Sequence, residues 1–177
     1  MASGVVPFGL VELTKMAEFH NDLDGSLRLC FSKDSPFYEV RFVGYSQSRI
    51  VEELQHRLNE AELMASFAVF AFLEAAFRID YEHRCLDRKK DPVSRALRQI
   101  YKKKEKLAKL DEDIFETWRS CEPTLGRVVG ELRSASHLRN WLAHGRYWKP
   151  KLGRKYDFND VFRLADNTLR SFPLYGS

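Results

Sequence analysis

The stretch from Ser48 to Cys85, SRIVEELQHRLNEAELMASFAVFAFLEAAFRIDYEHRC, decides the fold of this 177-residue chain. Its apolar residues recur at the spacing of an α-helix, and they form two stripes. The first stripe consists of Ile50, Leu54, Leu58, Ala61, Ala65, Ala68 and Phe72, and the second of Leu63, Phe67, Phe70, Phe77 and Tyr81. Two apolar faces indicate burial on more than one side, so the stretch predicts the central helix of a bundle.

Helical patterns flank this stretch on both sides. They cover Val11 to Leu23, Pro92 to Leu107, Asp111 to Cys121, a segment that begins at Leu125, and Phe158 to Phe172. Asp91 and Asp157 precede two of these segments and are typical N-cap residues, and Pro92 suits the first helical position. We therefore predict a mainly α fold, in which about residues 46–172 form an antiparallel helical bundle within a single domain.

The N-terminal 45 residues are predicted to be an accessory to this bundle. Asp24-Gly25 is expected to end the first helix. The segments 27–31 and 37–43 are rich in alternating or β-favouring residues, and Ser32 to Pro36 between them has the composition of a turn. A small β-hairpin is the expected structure of this region.

Composition limits the class of protein. Hydrophobic residues make up 44% of the chain and charged residues 31%, as in ordinary globular proteins. The start of the chain lacks the pattern of a secretory signal, and the three cysteines show no metal-ligand spacing, so we expect free thiols in the cytoplasm, no metal and no cofactor. The net charge of +4 is compatible with nucleic-acid binding without demonstrating it.

The heptad RNWLAHG at residues 139–145 is the best candidate for chemistry. Arginine grips phosphate through a planar, permanently charged fork, and histidine transfers protons near neutral pH. An arginine followed by a histidine after four to six residues also occurs at Arg49 and His56 and at Arg78 and His83. Both of those pairs lie on the predicted central helix, where they are ordinary surface residues.

In its RNxxAHG form the heptad resembles the signature of the HEPN superfamily, whose small α-helical proteins include metal-independent ribonucleases of microbial toxin–antitoxin and antiviral defence systems. The helical layout resembles that of the superfamily over about residues 46–172, whereas the motif itself covers only the seven residues of the heptad. It implies RNA cleavage by 2′-OH attack, which leaves 2′,3′-cyclic phosphate and 5′-OH ends. It also implies a homodimer with a composite site, and a possible antitoxin or regulatory protein as partner.

Three residues of the heptad are the predicted catalytic group, and each has a simpler alternative. His144 would transfer a proton, or else bond a backbone carbonyl at the end of a helix. Arg139 would stabilise charge on the phosphoryl oxygens, or else form a surface salt bridge. Asn140 would orient His144 or bind phosphate, or else make a local backbone hydrogen bond.

Glu74 is a carboxylate on the apolar stripe of the central helix, where an ionised group needs a partner. Arg78, four residues later, is one possible partner. The other possibility is that Glu74 orients Arg139 or His144, and the HEPN resemblance favours this because such proteins often place a polar or acidic residue of an earlier helix beside the motif.

Basic residues occur in two groups. The first group, Lys102, Lys103, Lys104, Lys106 and Lys109, is expected to form a solvated helix face. The second group follows the heptad and consists of Arg146, Lys149, Lys151, Arg154 and Lys155, interleaved with Tyr147, Trp148 and Tyr156. An exposed basic loop with aromatic side chains is predicted to bind single-stranded RNA.

A second class of function stays open at this point. A helical module with this heptad could bind RNA, a nucleotide or a protein partner without cleaving anything. A metal-dependent nuclease is disfavoured, because the sequence has no clustered set of metal-ligating residues.

Overall fold

The computed structural model describes residues 9–146 and 156–175 of the chain. Within these two ranges the protein forms seven α-helices and no β-strand. The helices are α1 (Leu10–Cys30), α2 (Tyr38–Arg41), α3 (Gln47–Leu86), α4 (Pro92–Lys104), α5 (Glu116–Cys121), α6 (Gly126–Ala143) and α7 (Phe158–Ser171). A six-residue π-helical turn, Leu110–Phe115, leads directly into α5. The mainly helical fold class is confirmed.

Helix α3 is the central element, as the sequence predicts. Its 40 residues span about 60 Å, and it packs against α1, α4, α6 and α7. The side chain of Ser46 caps its first turn by accepting from the Arg49 N–H. The C-terminal half supplies most of its buried apolar residues, namely Val69, Phe70, Phe72, Leu73, Ala76, Phe77, Tyr81 and Cys85.

The predicted β-hairpin is wrong. Helix α1 continues through Asp24-Gly25, where the Asp24 carboxylate accepts from Arg28 one turn later, at 2.6 and 3.1 Å. Tyr38 and Phe42, four residues apart, are buried together with Phe31 in a small second core, and Leu27, four residues before Phe31, is half-buried. An alternation of only five residues does not distinguish a strand from a helix, and in this region the apolar residues spaced four apart pack on one face of a helix.

The two predicted N-caps are confirmed. Asp91 accepts from the Ser94 N–H at 2.9 Å, with Pro92 at the first position of α4. Asp157 and Asp160 form a reciprocal capping box at the start of α7. Within the described part of the chain, none of the helices is both long enough and apolar enough to span a bilayer.

Candidate functional site

The heptad occupies the end of α6. Arg139 to Ala143 are helical, and the helix ends at His144, whose N–H donates to the Asn140 carbonyl at 3.0 Å. Gly145 and Arg146 then adopt left-handed backbone, with φ of +82° and +59°. The Arg146 N–H donates back to the Trp141 carbonyl at 3.1 Å. The glycine is explained by this helix ending, since a left-handed residue at that point favours glycine.

Arg139 reaches from α6 to α3, where it meets Glu74. One Glu74 oxygen, Oε2, accepts from Arg139 Nη2, and the other, Oε1, accepts from Arg78 Nε at 2.9 Å. Arg139 Nη1 also donates to Asn140 Oδ1 at 3.1 Å. Glu74 therefore contacts both of the arginines considered for it, because a carboxylate has two oxygens and each binds a different arginine.

These residues line a cleft of about 300 Å³ between α3, α6 and the π-helical turn. Its lining consists of Glu74, Arg78, Lys109, Leu110, Asp111, Glu112, Ser136, Arg139 and Asn140. The side chains of Glu74 and Arg139 are 17% and 33% exposed, so the ion pair lies at the edge of solvent. An ion pair at this depth is screened less than one on the open surface, and it remains reachable by a ligand.

His144 does not join this cleft. Its side chain is exposed at the end of α6, and it is not among the described residues that line the cleft. Residues five apart on an α-helix are separated by about 140° around the axis, so Arg139 and His144 leave the helix in different directions. The structure therefore brings the side chains of Glu74, Arg139 and Asn140 together at the cleft, and His144 is not part of the cleft lining.

The basic segment after the heptad is described only at its two ends. Arg146 donates to both oxygens of Glu60 on α3, at 2.7 and 2.8 Å, and this hydrogen bond lowers the pKa of Glu60. The other four predicted RNA-binding residues lie outside the described residues: Lys149, Lys151, Arg154 and Lys155.

Tyr156 corrects an expectation. It was predicted as part of the aromatic RNA-binding loop, but its ring is only 9% exposed and belongs to the main core. Its hydroxyl donates to Ser134 Oγ on α6 at 2.9 Å. An aromatic residue just before an N-cap often packs inward and fixes how the chain enters the helix, and Tyr156 directly precedes Asp157.

Sequence reasoning missed several cleft residues. Asp111 is predicted only as the start of a helix, Ser136 only as a possible cap of a helical turn, and Lys109 as a member of the basic helix face that includes Lys104, whereas all three line the cleft or its edge. Helix α4 ends at Lys104, and the Lys109 N–H donates to Asp113 Oδ2 at 2.7 Å at the start of the π-helical turn. The one available signal was the run Asp111-Glu112-Asp113, which suits the start of a helix but does not reveal what that helix faces.

No family model matches the chain, and neither a curated protein nor a solved structure is significantly similar to it. Among the described residues, histidine, cysteine, aspartate and glutamate side chains form no group of three that could hold a metal ion. The candidate site is therefore defined by its own geometry.

Proposed function

We propose that this protein is a metal-independent endoribonuclease of the HEPN type. One observation carries the proposal: the Glu74–Arg139–Asn140 cluster holds a guanidinium at an open cleft, just before the exposed His144 in the chain. A fixed guanidinium stabilises charge on phosphoryl oxygens, and an accessible imidazole transfers protons. We place the enzyme in a cytoplasmic toxin–antitoxin or antiviral defence setting, with an antitoxin or regulatory protein as its partner.

The proposed reaction needs only the chain's own residues and RNA. The ribose 2′-oxygen attacks the adjacent phosphorus, so that the O2′–P bond forms and the P–O5′ bond breaks. The 2′-hydroxyl loses a proton and the departing 5′-oxygen gains one, and His144 carries out one of these transfers. Arg139 binds the non-bridging oxygens, with its fork held by Glu74 and Asn140. The products carry 2′,3′-cyclic phosphate and 5′-OH ends.

A second copy of the chain completes the proposed site. In-line cleavage benefits from two proton-transfer groups on opposite sides of the phosphorus, and a two-fold axis supplies them by duplicating the heptad. An apolar hollow of about 170 Å³ lies beside the heptad and is lined by Glu60, Leu63, Met64, Phe67, Leu142 and Arg146. Met64 also lines an apolar groove of about 450 Å³ between α1 and α3, and its surface is 70% exposed.

This continuous apolar face supports a homodimer, because monomeric proteins rarely leave large apolar patches exposed. Light scattering of the purified protein should give the mass of a dimer. Met64→Lys should produce monomers and reduce cleavage, whereas Val51→Lys, an exposed apolar position away from the lining of both hollows, should do neither. A wild-type monomer that cleaves RNA at full rate would contradict the composite site.

The activity is tested by incubating the protein with labelled RNA in excess EDTA. Cleavage should persist, and His144→Ala should abolish it. His137→Ala is the matched control, because His137 is also exposed and lies two turns earlier on nearly the same side of α6. Products with 5′-phosphate ends would overturn the mechanism and the roles of Arg139 and His144.

The basic segment is proposed to hold the RNA strand. Lys151→Ala together with Arg154→Ala should weaken binding and flatten its salt dependence, since fewer phosphate contacts release fewer counterions. The product ends should stay the same. If RNA binds with this salt dependence and no products form, the protein is the non-catalytic RNA-binding module instead.

A further inference from the structure

The charge balance of the cleft indicates what kind of group fits it. Three cations, Arg78, Lys109 and Arg139, line the cleft. Three carboxylates line it as well, and these belong to Glu74, Asp111 and Glu112. A cleft with no net charge does not favour a second phosphate, which the carboxylates would repel. A nucleobase is neutral and carries both hydrogen-bond donors and acceptors, so the mixed lining suits a base.

Arg78 provides a fixed, planar surface in this cleft. Its Nε donates to Glu74 Oε1 at 2.9 Å, and its Nη1 donates to the Ala108 carbonyl at 3.3 Å. These contacts join it to α3 and to the chain before the π-helical turn, while 43% of the side chain stays exposed. Guanidinium planes of this kind stack on unpaired RNA bases.

Asp111 also lines the cleft, and a small rotation of its side chain is needed to present Oδ1 to a ligand, because that oxygen is shielded as the side chain stands. The single proton of the Ser136 hydroxyl is shared between the Arg133 carbonyl at 2.8 Å and Asp111 Oδ2 at 3.2 Å. The other Asp111 oxygen, Oδ1, is shielded from water and has no hydrogen-bond partner among the described residues. A shielded carboxylate oxygen without a donor is costly, and natural proteins keep few such atoms. The residue is held by a π-helical turn, in which the Ile114 N–H donates to the Lys109 carbonyl at 3.2 Å, and such turns frequently occur at functional sites.

We propose that this cleft binds the nucleobase next to the scissile phosphate, stacked on Arg78, and that Asp111 with Ser136 selects bases with an exocyclic amino group over uracil. Guanine, adenine and cytosine each have an exocyclic amino group that can donate to a carboxylate. Uracil has no amino group, and its ring N3–H lies between two carbonyl oxygens that repel a carboxylate. The proposal rests on the proposed function, because Arg139 at the mouth of the cleft is taken to hold the phosphate.

The test uses four RNA oligonucleotides that differ only in the base on one side of the cut, and a second set that varies the other side. On one side only, kcat/KM should be about tenfold lower for uracil than for the amino-bearing bases. Asp111→Asn should reduce this preference to about twofold or less, because the amide replaces one acceptor by a donor. Glu116→Gln, a carboxylate outside the cleft lining, is the control and should leave the preference unchanged.

A wild-type enzyme without base preference on either side would overturn the proposal, as would a preference that Asp111→Asn leaves intact. Thermal unfolding of each variant checks folding. If Asp111→Asn does not fold, Ser136→Ala takes its place with the same expected loss of preference. Arg78→Lys should weaken binding of all four RNAs about equally, since it removes the stacking plane but no acceptor.

A binding arm separates this proposal from the proposed function. RNA with a 2′-deoxy residue at the cut cannot react, and its dissociation constant should show the same base preference. If the natural RNA is never cleaved but binding still prefers amino-bearing bases in an Asp111-dependent way, the nuclease proposal fails and the base site stands. If cleavage occurs but neither rate nor binding depends on Asp111, the base site fails alone.

Discussion

The same half of α3 contributes the carboxylate to two arginine–carboxylate pairs, and the surroundings of the two pairs differ. In the first, Asp80 and Arg84 have side chains only 1% and 6% exposed. In the second, Glu74 on α3 and Arg139 on α6 have side chains 17% and 33% exposed and face the cleft. The chemistry of the two pairs is the same, so the comparison isolates the effect of enclosure.

In the enclosed pair, most N–H groups of Arg84 donate to other parts of the fold. Arg84 donates to Asp80 at 2.7 and 2.8 Å, to Asp91 at 3.1 Å, to Ser94 at 3.2 Å and to the Pro173 carbonyl at 2.6 Å. Its guanidinium also lies 4.8 Å from the centre of the Trp118 ring. These contacts join α3 to the start of α4 and to the end of the chain beyond α7.

The open pair keeps capacity for a ligand. Among the described residues, Arg139 donates only to Glu74 and Asn140, although a guanidinium has five N–H groups. An arginine–carboxylate pair is therefore structural when its surroundings use most of the arginine N–H groups, as at Arg84, and available for recognition when they use few, as at Arg139. Four substitutions test this, and they follow from the largest expected effect to the smallest.

Arg84→Ala should lower the free energy of unfolding by roughly 3–5 kcal/mol, because it leaves Asp80 buried without its partner. Burial already raises the pKa of Asp80, with the Arg84 charge opposing it. The loss should therefore shrink at low pH, where the carboxyl is protonated and needs no counter-charge. Urea unfolding at several pH values measures this, with Arg95→Ala on the exposed face of α4 as control. A loss below about 1 kcal/mol at neutral pH would show that enclosure does not matter.

Arg139→Lys should lower the rate of RNA cleavage by roughly 10²–10³-fold, because lysine keeps the charge but loses the planar fork. Its effect on the free energy of unfolding should stay within about 1 kcal/mol, since the pair is open to solvent. Single-turnover kinetics and urea unfolding of the same sample provide the two values. If stability falls as in the Arg84 variant, the open pair is structural after all.

Much of the fold follows from local pattern, whereas the cleft does not. The predicted central helix, 48–85, is observed as Gln47–Leu86, and Asp91 and Asp157 cap the helices they precede. These features depend on neighbours within one or two turns, which the sequence displays directly. The segments 27–31 and 37–43, which suggested a hairpin, were too short to distinguish strand from helix.

The cleft depends on contacts between distant residues. Glu74 meets Arg139 across 65 positions, and Asp111 meets Ser136 across 25. A misplaced charge on an apolar stripe shows that Glu74 needs partners, but it does not say which of two arginines is near. No periodicity predicts the π-helical turn that aims Asp111 into the cleft, so its role appears only in three dimensions.

Glu74→Gln should change the free energy of unfolding by about 1 kcal/mol or less, because both arginines remain in contact with solvent. Asp80→Asn is the matched change in the enclosed pair and should cost more, since the buried Arg84 then keeps only the more exposed Asp91 as a charged partner. Cleavage should fall in the Glu74 variant and not in the Asp80 variant. Equal losses of stability in the two variants would erase the difference between the pairs.

The smallest effect is expected at the pair of Glu60 and Arg146, which is more exposed to solvent than the other two pairs. The hydrogen bond from Arg146 lowers the pKa of Glu60 in the folded protein, so the pair contributes stability above the ordinary glutamate pKa and loses it as pH falls through the lowered value. Arg146→Ala should therefore raise the Glu60 pKa, measured by carboxyl NMR titration. It should cost under about 1 kcal/mol at pH 7, and nothing at a pH where Glu60 is protonated in both proteins. Because both side chains are more than a third exposed, 1 M salt should remove most of this difference. A cost that persists at high salt and low pH would mean that Arg146 acts through the ending of α6 rather than through its charge.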